Sequence, residues 1–206
     1  GKSTLLRLLA GLEDPAAGAF VLDGRDTLTT LRYESWEEQV AYIPQDPTIF
    51  HASLRENLTF YNPQASDEHL HAVIEKLGLS ELLVQLPQGL DTLIGEGARG
   101  LSGGQAQRIA LARVVLDERK RIILFDEPTA HLDIETEMEL KQAMVEVMQE
   151  RLVVFATHRL HWLDTLDYLL VLEEGKLVEQ GMTTQLLEST THFATLVRAL
   201  CGGEAA

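Results

Sequence analysis

Only one of the 206 residues is a cysteine, Cys201, which excludes an internal disulfide and makes a reducing compartment the simpler setting. Basic residues are few: 17 Lys+Arg stand against 32 Asp+Glu, a net charge of -15. A surface that grips phosphate backbones needs a basic footprint, so nucleic acid is not expected as a partner. Long apolar runs are missing too. Stretches such as "RIILF" and "LVVFAT" fall far short of the roughly 20 residues that cross a bilayer, and nothing resembles a signal peptide. The piece itself is expected to be soluble, which leaves open a membrane segment before Gly1. There is no internal repeat, and no low-complexity segment apart from the short Gly/Ala-rich end.

What is present is an ordinary globular composition, 45% hydrophobic, enough for one large domain. The chain opens with "GKSTLLRLLA". Gly1, Lys2 and Ser3 fit the last fixed positions of G-x-x-x-x-G-K-[ST], a loop whose amides cradle nucleotide phosphates. The rest of that loop and the strand before it are expected upstream, so the chain reads as a fragment that would bind ATP poorly by itself. The leucines of "STLLRLLAGL" predict a helix that stops near Gly11 and faces the phosphate with its N-terminus.

"GAFVLDGRDT" alternates around an Asp-Gly turn, and "QVAYIPQD" reads as a short strand ended by proline. From Ser53 to Leu116 the texture turns helical, in "SLRENLTF", "SDEHLHAVIEKLGL" and "SGGQAQRIALARVVL", with Ser or Asp at the N-caps. Strand patterns return at "RIILFDE", "LVVFATH" and "YLLVLEEGKLVEQ", as a parallel sheet with crossover helices requires. The predicted fold is α/β with an inserted helical lobe.

Three elements carry chemistry. Lys2 supplies charge for the β and γ phosphates, and the Ser3 hydroxyl can ligate magnesium. "RIILFDEP" is a buried strand that delivers Asp126, suited to hold magnesium, and Glu127, suited to polarise an attacking water. Alone, each has a bland counterpart: a helix cap, and a solvated carboxylate at a strand end. Together they point to a magnesium–nucleotide site. In "LSGGQAQRIALAR", Ser102, Gly103 and Gly104 present unobstructed amides at a helix N-terminus, which is either a second anion-binding surface or a glycine-rich cap.

"LSGGQ", a basic helix and then "ILFDEPTAHLD" resemble the signature and Walker B regions of ABC transporter ATPases, and the match spans nearly the whole chain. The resemblance implies a P-loop NTPase ABC ATPase core with an inserted helical subdomain. Its boundaries are 1–46 and 118–182 for the core, 47–117 for the helical subdomain and 183–206 for a C-terminal helical tail. Gly1, Lys2, Ser3 and Thr4 end the Walker A loop, and Gln45 in "YIPQD" looks like the Q-loop glutamine, linking magnesium and γ-phosphate to the helical lobe. Leu101, Ser102, Gly103, Gly104 and Gln105 are the signature, Asp133 belongs to the D-loop, and His158 in "ATHR" matches the switch histidine.

The family pattern implies ATP and Mg2+ as cofactors, with Ser3, Gln45 and Asp126 around the metal and Glu127, His158 and Gln45 in the catalytic roles. It also implies that a second ABC ATPase domain pairs head to tail with this one, each signature facing the other's γ-phosphate. That accounts for two anion-binding surfaces in one chain.

Within the family, "IGEGARGLSGGQ", with Gly95, Glu96, Gly97 and Gly100, and "DPTIFHASLRENL" are similar to exporter segments. These imply a transmembrane domain fused upstream and a place on the cytoplasmic face of a bacterial inner membrane. The other readings are a separate importer ATPase subunit and a soluble non-transport ABC ATPase. Against DNA-acting relatives, no heptad run or cysteine cluster lies between Lys2 and Ser102. "GLSGGQAQRIALARVVL", "DEPTAHLDIETE" and "ATHRLHWLD" look most like the thiol-reductant exporters of cytochrome bd assembly, their CydD subunit, a family that exports cysteine or glutathione as a heterodimer. Ala106 and His131 depart from the commoner exporter forms of their motifs.

Overall fold

A computed structural model describes residues 1–95, 97, 100–189, 193–195 and 197. Glu96, Cys201 and much of the expected tail beyond Ser189 lie outside the described residues. The described residues fall into two compact units: Leu6–Ala156, and Gly1–Leu5 with the described residues from Thr157.

Helix α1 (Lys2–Leu9) is followed by the strands β1 (Phe20–Leu22) and β2 (Asp26–Leu28), a short helix α2 (Glu34–Glu37) and β3 (Val40–Ile43). As the sequence predicts, α1 ends before Gly11, β1 and β2 pair antiparallel around Asp23–Gly24, and β3 stops at Pro44. Next come β4 (Ala52–Ser53), α3 (Leu54–Leu58), α4 (Asp67–Lys76), α5 (Ser80–Gln85), β5 (Leu93–Ile94) and α6 (Gly103–Val115). The helix starts are set locally. Ser53, Ser66 and Ser102 each accept a bond from the backbone N–H three residues on, and Ser53 and Ser102 complete reciprocal capping boxes with Glu56 and Gln105.

The centre of the Leu6–Ala156 unit is a three-stranded parallel sheet in the order β3, β6 (Ile122–Asp126), β7 (Leu152–Ala156), with α7 (Ile134–Met148) crossing from β6 to β7. Register sets Ile43 beside Phe125 and Asp126 beside Ala156. Because side chains alternate along a strand, Ile122, Leu124 and Asp126 share one face. On that face Leu124 packs with Leu6, Ala10, Val40 and Ala156, flanked by Leu9, Trp36, Tyr42 and Val154. Trp36 Nε1 donates to Leu9 O at 2.9 Å, which ties α2 to the end of α1. The five-residue β6, apolar up to its last position, thus delivers its carboxylate to the C-terminal edge of the sheet.

In the other unit, a 3-10 turn over Leu160–Thr165 buries Trp162 completely and leads to β8 (Tyr168–Glu173), β9 (Lys176–Met182) and α8 (Thr183–Glu188). Here the structure corrects the sequence reading. "YLLVLEEGKLVEQ" is not a further parallel strand but an antiparallel hairpin, β8 against β9. Its two-residue loop, Glu174–Gly175 at φ 48° and 77°, is left-handed at both positions, the geometry of a tight hairpin turn and far too short for a crossover.

Candidate functional site

Gln45 lies just past β3, Asp126 ends β6 and Glu127 follows it, so all three stand at the C-terminal edge of the parallel sheet, where open α/β sheets bind ligands. Asp126 is buried at 7% exposure, and its Oδ2 accepts a 2.9 Å bond from the Tyr42 hydroxyl on the neighbouring strand. Burial, and then the hydrogen bond to Asp126 and its charge, push the Tyr42 hydroxyl up to about 12, so the tyrosine stays a donor. Glu127 sits at φ 49°, a conformation uncommon outside glycine, and its N–H donates to Ala156 O at 2.9 Å on β7. That bond fastens the turn by which the chain leaves the sheet, and strain held this way is a mark of functional positions.

The segment after Glu127 is tightly pinned. Thr129 Oγ1 donates to the fully buried Glu137 of α7, Ala130 N bonds Glu127 O at 3.1 Å, and Leu132 N bonds Thr129 O at 3.2 Å. Asp133 caps α7: its Oδ1 accepts from Thr136 N at 3.0 Å and its Oδ2 from Thr136 Oγ1 at 2.8 Å. The backbone and hydroxyl donors of Thr136 hold the Asp133 carboxyl below the usual carboxylate range.

Ser102 and Gln105 bond each other at the start of α6, Ser102 Oγ accepting from Gln105 N at 3.2 Å and Ser102 N donating to Gln105 Oε1 at 3.0 Å. Gly104 is buried, and a Cβ there would lie 2.7 Å from Thr136 Cγ2 on α7. The glycine therefore has a packing reason beside any anion-binding one: it lets α6 begin against the start of α7.

Gln45 is held at two points. Its carbonyl accepts from Gln107 Nε2 of α6 at 2.8 Å, and its side-chain nitrogen lies 2.7 Å from His131 Nε2. Gln45, Asp46, Gly103, Ala106, Gln107 and His131 are among the residues lining a small cleft of about 100 Å³. Beyond it, the buried Arg113 of α6 bonds Asn57 O at 2.8 Å, Asn57 Oδ1 at 3.0 Å and Thr48 O at 3.0 Å, and lies over the rings of Phe50 and Phe60. Burial lowers its pKa.

The structure thus brings Gln45 to the signature helix and to the segment before Asp133, whereas the bonds of Ser102, Gln105 and Asp133 are local, within their own helix starts. In the other unit, Lys2, Ser3 and Thr4 form the first turn of α1 after Gly1, and His158 is exposed just after β7. Sequence reasoning gave no role to Tyr42, Gln107 or Arg113 and treated His131 only as a departure from a motif. A tyrosine alternating with valine in "VAYI" was the visible hint that it shares a strand face with other inward residues.

The description "ABC transporter" matches residues 1–130, well over half the chain. This chain belongs to the ABC transporter family. It is 46% identical over its full length to the glutathione/L-cysteine transport system ATP-binding/permease protein CydC of Bacillus subtilis (strain 168), covering 36% of that protein. It is 37% identical, over 97% of its length, to the beta-(1-->2)glucan export ATP-binding/permease protein NdvA of Brucella melitensis biotype 1, covering 33% of it. The structure of a bacterial Atm1-family ABC exporter with ATP bound superposes with a TM-score of 0.83 at 32% identity, over 100% of this chain and 35% of that one.

The α/β, P-loop NTPase type of fold and the exporter type of ATP-binding domain expected from the sequence are both found. The thiol-transport relative carries the CydC name, not the CydD name that the motifs suggested. This chain spans about a third of the length of the curated relatives it matches. Among its described residues no helix is long and apolar enough to cross a membrane.

The donors assigned to magnesium are a hydroxyl (Ser3), an amide oxygen (Gln45) and a carboxylate (Asp126). They suit the ion: all are oxygen, and they are few, as expected where phosphates and waters complete the shell. The Gln45 nitrogen is turned to His131, so its oxygen is not the atom used in that contact.

Proposed function

We propose that this domain binds and hydrolyses MgATP as the motor of an ABC exporter. The observation that carries the reading is the C-terminal edge of the parallel sheet, where β6 presents Asp126 and a conformationally constrained Glu127 next to the strand that leads into Gln45. Lys2 neutralises phosphate charge from the first turn of α1, with Gly1, Ser3 and Thr4 completing the end of the phosphate loop. A bound magnesium supplies charge neutralisation on the transferring phosphoryl group. Asp126, oriented by Tyr42, holds the metal together with Ser3 and Gln45.

Glu127 takes a proton from the attacking water, and His158 stabilises the γ-phosphate. Leu101, Ser102, Gly103, Gly104 and Gln105, with Asp133, form the surface offered to a second ATPase domain in a head-to-tail pair. The organisation into a core of 1–46 and 118–182, a helical subdomain of 47–117 and a tail of 183–206 belongs to the same proposal.

The full-length protein, on this reading, carries a transmembrane domain before this one, lies with its ATPase on the cytoplasmic face of a bacterial inner membrane, and works as a heterodimer. Similarity to the CydC protein, over this whole chain and 36% of that protein, supports cysteine or glutathione as the exported substrate. The test is ATP-driven accumulation of labelled glutathione or cysteine in inverted vesicles holding the full-length transporter. Wild type accumulates one of them and the Glu127→Gln transporter accumulates neither. Steady-state ATPase unchanged in Glu127→Gln removes the assigned base, and ATPase without thiol accumulation removes the substrate.

A further inference from the structure

The cleft between the segment after β3, the start of α6 and the segment after β6 contains a hydrogen bond that the proposed chemistry does not use. Gln45 Nε2 lies 2.7 Å from His131 Nε2, and Asp46 Oδ2 lies 3.7 Å from the same imidazole nitrogen. An amide nitrogen can only donate, so His131 Nε2 accepts and its ring carries the proton on Nδ1. In this arrangement the Gln45 amide turns its nitrogen to the imidazole. Nitrogen faces His131, and oxygen, the only atom of that amide able to ligate a hard cation, is directed elsewhere.

A half-buried glutamine and an exposed histidine ordinarily gain little from one bond, because ordering them costs side-chain entropy. Here much of that ordering is already done. Gln107, 3% exposed, bonds the Gln45 carbonyl at 2.8 Å and holds its backbone. His131 sits between two anchored neighbours, Leu132, whose N–H bonds Thr129 O, and Ala130, whose N–H bonds Glu127 O. Leu132 in turn lies under the start of α6, where a Cβ on Gly103 would come within 3.2 Å of its Cδ2. The histidine is therefore presented to Gln45 by a braced turn.

We propose that His131 is a positioning residue for Gln45, fixing the orientation of its amide so that Oε1 is set to ligate the nucleotide's divalent cation. Partners that orient a metal ligand in this way raise its affinity without touching the ion. The inference rests on the proposed role of Gln45 at the metal, and it assigns to His131 what the family motifs leave unassigned.

The experiment uses the full-length transporter with Mn2+ as probe, bound together with a non-hydrolysable ATP analogue and followed by electron paramagnetic resonance. Loss of one hydrogen bond predicts that His131→Ala weakens Mn2+ binding by about two- to tenfold. Affinity for the analogue without divalent ion should stay at the wild-type value. His131→Gln, whose Oε1 reaches about as far as the imidazole nitrogen and also accepts, should keep wild-type Mn2+ affinity. Unaltered Mn2+ binding in His131→Ala overturns the proposal, and so does an equal loss of metal-free analogue binding, which would mark general damage. Gln45→Ala separates the two levels: if it leaves Mn2+ affinity unchanged, the metal role of Gln45 falls and this inference with it. If it weakens Mn2+ while His131→Ala does not, the inference alone falls.

Discussion

The Tyr42 hydroxyl donates to Asp126 Oδ2 at 2.9 Å across the β3–β6 pair, joining residues far apart in sequence through strand register alone. Tyr42→Phe keeps the ring in the core and removes only that donor. For a half-open site the loss should be about 1 kcal/mol, or roughly fivefold in ATPase of the full-length transporter, with the domain still folded. The same bond has a pH signature. A tyrosine whose folded pKa is raised to about 12, from 10.0, contributes stability that is intact below pH 10 and is lost as pH rises through about 12. Denaturation midpoints measured between those limits should fall more steeply for wild type than for Tyr42→Phe, and parallel curves would reject the assignment.

Glu127 at φ 49° separates chemistry from backbone. Glu127→Gln should reduce turnover about a hundredfold or more, the scale of a lost general base, while leaving thermal stability near wild type. Glu127→Gly should abolish turnover equally but be at least as stable, because glycine accepts a left-handed backbone at little steric cost. Glu127→Val should lose activity and also about 1–2 kcal/mol of stability, since a β-branched residue is strained there. Equal melting temperatures for the glycine and valine forms would show that the turn relaxes.

Much of this was legible because it is local. Ile122–Phe125 followed by two acids reads directly as a buried strand with carboxylates at its end, and Ser102 with Gln105 three residues on reads as a capped helix start. What was not legible depends on partners distant in sequence. Nothing in "QVAYIPQD" says that β3 lies beside β6 in the register that sets Tyr42 on Asp126, or that Gln107 holds Gln45. The hairpin of β8 and β9 was misread for a related reason. Apolar alternation identifies strands but not their partners, and the decisive cue was the Glu174–Gly175 pair, where the chain turns back in two residues.

Arg113 offers a test of the brace behind the Q-loop segment. Its guanidinium joins Thr48 O, just past Gln45, to both oxygens of Asn57 in α3. Arg113→Ala takes a donor from the buried Asn57 O, one of two donors from Asn57 Oδ1 and one from Thr48 O, and removes the cation from Phe50 and Phe60, for an expected cost of about 2–3 kcal/mol. Arg113→Lys keeps the charge but not the fork of donors, so it should recover less than half of that loss. Chemical denaturation of both variants measures this directly. A lysine form as stable as wild type would mean that charge, not the fork, holds the segment.

Gly104 and Thr136 make the sharpest packing prediction. A Cβ at Gly104 would stand 2.7 Å from Thr136 Cγ2, closer than side chains tolerate, at the point where α6 meets α7. Gly104→Ala gains helix propensity, worth about 1 kcal/mol in a helix interior and less at this second position. The clash acts the other way, by about 1–3 kcal/mol, and should dominate, so the single variant is less stable than wild type. Thr136→Ser deletes the offending methyl and keeps the hydroxyl that bonds Asp133 Oδ2. The double variant should therefore recover most of the loss, and the coupling in a double-mutant cycle reports the contact itself. Recovered stability together with low ATPase would place the signature glycine's importance at the nucleotide, whereas recovery of both would make close packing of the two helices its main requirement. Additive effects of the two substitutions would show that the helices shift apart instead.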